Sequence, residues 1–286
     1  MATSLNNLKN RLGSIKSTKK LTNAMKLVSS AKEKKLSNEY NLALEFYNRF
    51  MKIFNNSIFI NPNNPDCDSF NNNLLKTYES NKRLLIVITS NNGLCSGYNN
   101  DVIRYLKNYY QKNDEILIIG ERGRNELLKE NIELNEKFVD YLKENTNNFD
   151  ELRKYLVETF NKGIFKEVDL IYTHYHNSLI SKVESLKLLP IDIKENRKRN
   201  YSPTFEPSKD VIINYLIEEY LYYTLFIKIF DSRIAEESAR RLAMENATKN
   251  ADELIDDLNL EYNKIRQSNI TSEINEVSSA SKIAKR

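Results

Sequence analysis

The sequence predicts a mixed α/β protein, a long antiparallel coiled coil of N- and C-terminal helices with a small α/β domain inserted between them. Three observations carry this expectation. Six glycines and five prolines are the chain's strongest helix breakers, and neither type occurs from Ser14 to Asn61 or from Ser208 to Arg286. Within those two stretches apolar residues recur at three- and four-residue steps. Between them, short β-branched runs alternate with helical patterns, the layout of a parallel sheet covered by helices on both faces.

Each element has its own warrant. In residues 1–60 a stripe runs through Leu5, Leu8, Leu12 and Ile15, then through Leu21, Met25, Val28 and Ala31. After a slip it resumes at Leu36, Tyr40, Ala43, Tyr47, Phe50 and Phe54. Residues 61–73, with two prolines and many asparagines, read as a surface loop. The domain expected over 74–193 contains the apolar runs 84–89 (LLIVIT), 115–120 (EILIIG) and 168–173 (VDLIYT), with 183–190 as a fourth strand. Helical patterns separate them at 98–110, 124–130 and 149–161. Residues 194–207 link this domain to a last helix over 208–286, striped by Ala243, Ala247, Ala251, Leu254, Leu258, Tyr262 and Ile265, then Ile270, Ile274 and Val277. Neither terminal stripe is a strict heptad. A helix over 208–283 would be roughly 110 Å long at 1.5 Å per residue, so part of it must protrude or be sheathed by another protein. The alternative is two shorter helices broken around residues 231–238, where Asp and Ser interrupt the stripe.

Composition narrows the function. Of 286 residues, 40% are hydrophobic, too many for wholesale disorder. Cys67 and Cys95 cannot build a disulfide framework, which suggests a reducing compartment. The N-terminus lacks an apolar signal core, and the longest greasy stretch, residues 220–230, contains Lys228, so a soluble intracellular protein is expected. Charge is uneven. Residues 1–35 hold Lys9, Arg11, Lys16, Lys19, Lys20, Lys26, Lys32, Lys34 and Lys35 against Glu33 alone, a net +8, which leaves −4 for the rest of a chain totalling +4. Such a segment suits nucleic acid, a membrane surface or an acidic protein, and charge alone does not choose.

No catalytic, metal or nucleotide site is expected. The strand–turn–helix at 89–97 (TSNNGLCSG) is the usual setting for phosphate on backbone amides, but its glycines fit neither dinucleotide nor P-loop spacing. Gly120 and Gly123, after the second strand, fail the same patterns, and tight packing of a helix on its strand explains these glycines equally well. Cys95 lies near a helix start without a histidine nearby in sequence. His174 and His176, two apart, share one face of a strand, but a metal there would need carboxylates from elsewhere. No cofactor is implied. More informative is 238–251 (SARRLAMENATKNA), where small residues allow close approach of another backbone, with Arg240, Arg241, Arg266 and Gln267 offering long polar reach.

Four segments in order resemble the gamma subunit of F-type ATP synthases, the central rotor shaft of the F1 motor. They are the basic helix 5–35, the turn 89–99 (TSNNGLCSGYN), Ile119-Gly120 with Gly123-Arg124, and 238–285 with ARRLAMENATKNA and LNLEYNKIRQSNITSEI. Asn91-Asn92 stand where that family usually has Asp-Arg, Ser96 replaces a glycine, Asn23 a basic residue, and Ser268-Asn269 small apolar ones. The resemblance implies that the inserted domain is Rossmann-like and that the chain is non-catalytic. It implies a shaft turning inside three alpha and three beta subunits and coupling ATP synthesis or hydrolysis to proton transport. Met25 matches the bearing beside an acidic loop of beta, and Arg266, Gln267 and Thr271 match the contact at the beta catch. Phe205 and Glu206, followed by Pro207, resemble the foot segment that touches the membrane c-ring, and the α/β domain would also hold the epsilon subunit. The implied location is peripheral, on the cytoplasmic side of a bacterial membrane. Three rival readings stay open: a nucleic-acid binder using the basic helix, a nucleotide-dependent enzyme built on the α/β core, and a gamma-like shaft of a diverted F1-like motor not coupled to ions.

Overall fold

The computed structural model describes residues 2–58, 72–143, 149–192 and 205–284, with side chains described from residue 5 to 278 apart from residue 276. The expected loop at 61–73 and linker at 194–207 lie largely outside the described residues, as does Cys67. In chain order the elements are α1 (Ala2–Ser57), β1 (Arg83–Ile88), α2 (Tyr98–Tyr109), β2 (Glu115–Ile119), α3 (Glu121–Leu128), β3 (Leu134–Asn135), α4 (Phe149–Asn161), β4 (Glu167–Tyr175), β5 (Ser181–Leu189) and α5 (Lys209–Ala284). Long N- and C-terminal helices thus flank a mixed α/β core, as the glycine and proline gaps predict. No helix among the described residues is long and apolar enough to cross a membrane.

The sheet runs β3-β2-β1-β4-β5. Its first four strands are parallel, while β5 is antiparallel to β4. The expected parallel sheet thus carries one antiparallel edge strand. Only residues 176–180 connect β4 to β5, too few for a crossover, which takes a dozen or more. The Asn177 side-chain oxygen closes the hairpin by accepting from the N–H groups of Leu179 and Ile180, both at 2.9 Å. Strand β3 was not expected either, since two residues are too short for any periodicity to register.

Cα packing divides the chain into two compact units, Lys32–Ala239 and Met1–Ala31 with Arg240–Arg286. In the larger unit the sheet is buried on both faces. Leu85, Val87, Ile116 and Ile118 pack with Val102, Leu106 and Leu127 of α2 and α3. Leu84, Ile86, Ile88, Leu170 and Tyr172 pack with Leu152, Leu156 and Phe160 of α4 and with Phe50, Phe54, Leu221, Leu225 and Phe230 of α1 and α5. Alternating side chains therefore serve two cores, which is why these strands read as continuous apolar runs. Within this unit α1 and α5 run antiparallel through aromatic contacts, Phe46 and Phe50 on Tyr223 and Phe54 on Tyr220, with centroids 4.7–5.1 Å apart.

In the smaller unit α1 meets α5 through polar groups. Thr22 Oγ1 lies 2.8 Å from Thr248 Oγ1, and Lys19 pairs with Asp252. Burial along α1 follows a strict four-three alternation from Leu8 to Phe54, passing through Lys19, Thr22, Lys26, Ser29 and Glu33 between its apolar ends. Along α5 it follows Met244, Thr248, Ala251, Ile255, Leu258, Tyr262, Ile265, Asn269 and Ser272. Both helices thus carry a heptad seam that their apolar residues do not spell out. The slip expected after Ala31 is compositional: the seam runs on polar residues from Lys19 to Glu33, while Leu21 and Val28 of the apolar stripe face outward, 62% and 55% exposed.

No break occurs at residues 231–238, because α5 is continuous there. The polar residues that interrupt the stripe dock the helix on the sheet. Strand β1 stops pairing with β4 at Ile171. Beyond it the Thr173 N–H donates to Ser232 Oγ at 3.1 Å and the Tyr175 N–H to Asp231 Oδ1 at 2.9 Å. Side chains of the helix stand in for a strand, which satisfies backbone donors that burial would otherwise leave unpaired.

Candidate functional site

Residue by residue, the strand–turn–helix at 89–97 is a packing knot. Thr89 Oγ1 donates to the carbonyls of Ile119 and Gly120 and accepts from the Gly123 N–H at 3.1 Å. Glu121 N–H donates to Asn91 Oδ1 and Arg122 N–H to the Ser90 carbonyl, so the first amides of α3 are engaged within the fold. Asn99 Oδ1 accepts from the Ser90 N–H at 3.0 Å. Gly120 has φ +104°, and a Cβ there would stand 2.3 Å from the Thr89 carbonyl oxygen. A Cβ on Gly123 would lie 2.5 Å from the Thr89 side chain. Both glycines let α3 approach β1, which is the packing explanation considered for them. Cys95 and Tyr98 are buried against Ala235 of α5, and burial pushes the Tyr98 phenol well above its ordinary pKa. Among the described residues no three His, Cys, Asp or Glu side chains converge on a metal position.

The outward surface of the smaller unit is chemically distinctive. On α1, Lys9, Arg11, Lys16 and Lys20 are exposed, and Leu21, Leu27 and Val28 stand among them at 55–62% exposure. Met25 and Lys26 are half-buried. On α5, Leu260, Ile270, Ile274 and Val277 are exposed at 43–71%. Arg266, Gln267 and Thr271 are exposed on the same helix, with the Thr271 hydroxyl donating to the Gln267 carbonyl at 2.9 Å. The three lie within six residues of one another. Met25 does not join them: the Thr22–Thr248 and Lys19–Asp252 pairs set it level with the region near residue 245, about 30 Å along α5 from Arg266. In the larger unit Phe205 is half-buried against the main core and Glu206 is exposed beside it. Sequence reasoning missed the outward leucines, because a helical stripe marks apolar residues without saying whether they are buried by this chain.

A helix pair that leaves leucine, isoleucine and valine uncovered beside a basic face has the character of an interaction surface. The comparisons with known proteins agree. The family model described as ATP synthase matches residues 4–282. The ATP synthase gamma chain of Clostridium novyi is 36% identical over 277 residues, and that of Clostridium kluyveri 34% over 278, each match covering 94% of both chains. The gamma chain of Alkaliphilus metalliredigens is 32% identical across the whole of both. Among solved structures, a chain of the Euglena gracilis mitochondrial ATP synthase in its OSCP/F1/c-ring structure superposes with a TM-score of 0.67, covering 98% of this chain and 94% of that one at 16% identity. A chain of the Tetrahymena thermophila central stalk and c-ring gives 0.55 at 23% identity, covering 79% of this chain and 99% of that one. The chain belongs to the ATP synthase family, and its curated relatives are gamma chains. It is a non-catalytic subunit with the fold of the central stalk.

Proposed function

We propose that this chain is the central rotor shaft of an F1-type rotary ATPase, turning inside three alpha and three beta subunits and linking ATP synthesis or hydrolysis to proton transport. The observation that carries the reading is the outward apolar set of the smaller unit, Leu21, Leu27 and Val28 on α1 with Ile270, Ile274 and Val277 on α5. Covering one such side chain is worth about 1.5–3 kcal/mol, which favours a sheath of other subunits. Because the two helices differ in sequence, each angle of the shaft presents a different surface to each beta subunit. A surface that binds one conformer better than another shifts that site's equilibrium, and the coupling is reciprocal.

In this reading the basic residues of α1 meet acidic beta loops, Met25 sits at the bearing, and Arg266, Gln267 and Thr271 grip the beta catch. Phe205 anchors the segment that offers Glu206 to the c-ring, and the α/β domain holds the epsilon subunit. The protein would then be peripheral, on the cytoplasmic face of a bacterial membrane. Co-expression with alpha and beta chains of the same source tests this. The assembled complex should hydrolyse ATP while the purified chain alone does not. Turnover by the chain alone, or failure to assemble, overturns the proposal. Recovery with a c-ring from native membranes supports ion coupling, whereas recovery of the alpha and beta subunits on a different mechanical partner points to a diverted motor.

A further inference from the structure

The chain's two histidines stand together, at the end of β4, and the shaft reading uses neither. His174 and His176 project to one side of the strand with ring centroids 4.4 Å apart and planes at 72°. Two imidazoles at this separation and near-perpendicular tilt can direct one nitrogen each at a common point. The ring of His174 and the backbone of His176 are held in place. His174 Nδ1 bonds to Asp231 Oδ2 at 2.5 Å, and Asp231, 1% exposed, also accepts from the Tyr175 N–H at 2.9 Å. His176 is held through its backbone N–H, which donates to the Ile180 carbonyl at 3.1 Å in the hairpin.

In the neutral tautomer that carries Nδ1–H toward the buried carboxylate, His174 has the lone pair of Nε2 at the far end of a partly exposed side chain. That is how metal-binding histidines are oriented: an outer carboxylate fixes the tautomer and raises the basicity of the ligating nitrogen. Lys182 faces His174 across the β4–β5 ladder, and the negative charge of Asp231 offsets it. Imidazole suits copper, zinc and nickel among divalent first-row ions.

We infer that His174 and His176 form a two-imidazole site for a divalent first-row transition ion, oriented by Asp231 and completed by water. The inference does not depend on the shaft reading. Full-length chain without an affinity tag is titrated with Zn²⁺ calorimetrically and with Cu²⁺ by electron paramagnetic resonance. One saturable equivalent per chain with coupling to two imidazole nitrogens is expected. His176→Ala, at an exposed position, should lose the site while melting like the parent. His174→Gln should lose it while leaving a side-chain partner for Asp231. Asp231→Asn, with both imidazoles retained, should weaken binding about tenfold or more. No saturable uptake, undiminished uptake in His176→Ala, or a copper signal with thiolate or single-nitrogen character would overturn the inference.

Discussion

Asp169 shows how a single buried charge is held in this fold. It is 3% exposed, accepts from the Tyr109 hydroxyl at 2.9 Å and lies 3.7 Å from the Arg83 guanidinium. Burial raises its pKa above the ordinary 3.8, and the Tyr109 hydrogen bond and Arg83 offset this only in part. A carboxyl whose pKa rises on folding contributes stability that is complete below 3.8 and is lost as pH climbs through the raised value. Asp169→Asn keeps an acceptor for Tyr109, and Arg83 keeps its two-point bond to Asp114 at 2.6 and 3.0 Å. Urea midpoints at pH 7 should be equal or higher in the variant, and that part of the pH dependence should vanish. Arg266 and Gln267 are the opposite case, exposed and free of any packing duty in the smaller unit's seam. Replacing both by alanine should leave the chain's melting within about 0.5 kcal/mol of the parent. If they grip beta in one state, losing a charge-assisted contact of about 1.5–3 kcal/mol should slow the assembled complex about tenfold or more. An unfolded variant with full turnover per assembled complex would make the pair structural.

At the scale of the element, α3 depends on its glycines. Adding a methyl at Gly123 drives it into Thr89, itself tied to β2 and α3 by three hydrogen bonds. Gly123→Ala should therefore cost about 1–3 kcal/mol by urea denaturation, although alanine favours helix elsewhere. Much of the element list is legible in the sequence, because breakers bound the long helices and β-branched runs mark the strands. What stays hidden has physical reasons. The polar seam residues Lys19, Thr22, Lys26, Ser29 and Glu33 carry no apolar signal, so the continuous heptad cannot be read from hydropathy. Asp231 and Ser232 look like a helix break because the backbone donors they satisfy belong to a strand almost 60 residues away. The direction of β5 is set by the length of its hairpin, which strand composition does not encode.

For the whole molecule, the consequence of outward apolar residues is a division between folding and assembly. Leu21→Ser with Val28→Ser removes side chains that are more than half exposed. The isolated chain should melt as before, whereas the proposed complex with alpha and beta should assemble more weakly. Size-exclusion chromatography at falling concentration would register the difference, and equal assembly would show that this side of α1 stays in solvent. Basic residues on the same surface make that assembly salt-dependent where they stay exposed at the contact.

The polar stretch of the seam has a mechanical consequence. Apolar contact scales with area and has little preference for one alignment of two helices along their length. A hydroxyl pair such as Thr22 with Thr248, and an ion pair such as Lys19 with Asp252, are made at one alignment only. Sliding by one heptad, about 10 Å, would bring different neighbours against Thr22 and Ser29, each nearly buried. The threonine hydroxyls keep carbonyls of their own helices, Lys19 for Thr22 and Met244 for Thr248, so the interhelical hydrogen bond lost costs about 0.5–1.5 kcal/mol. Within that unit the two helices give up adhesion and gain a detent, so a lengthwise pull meets a stop where a greasier seam would creep.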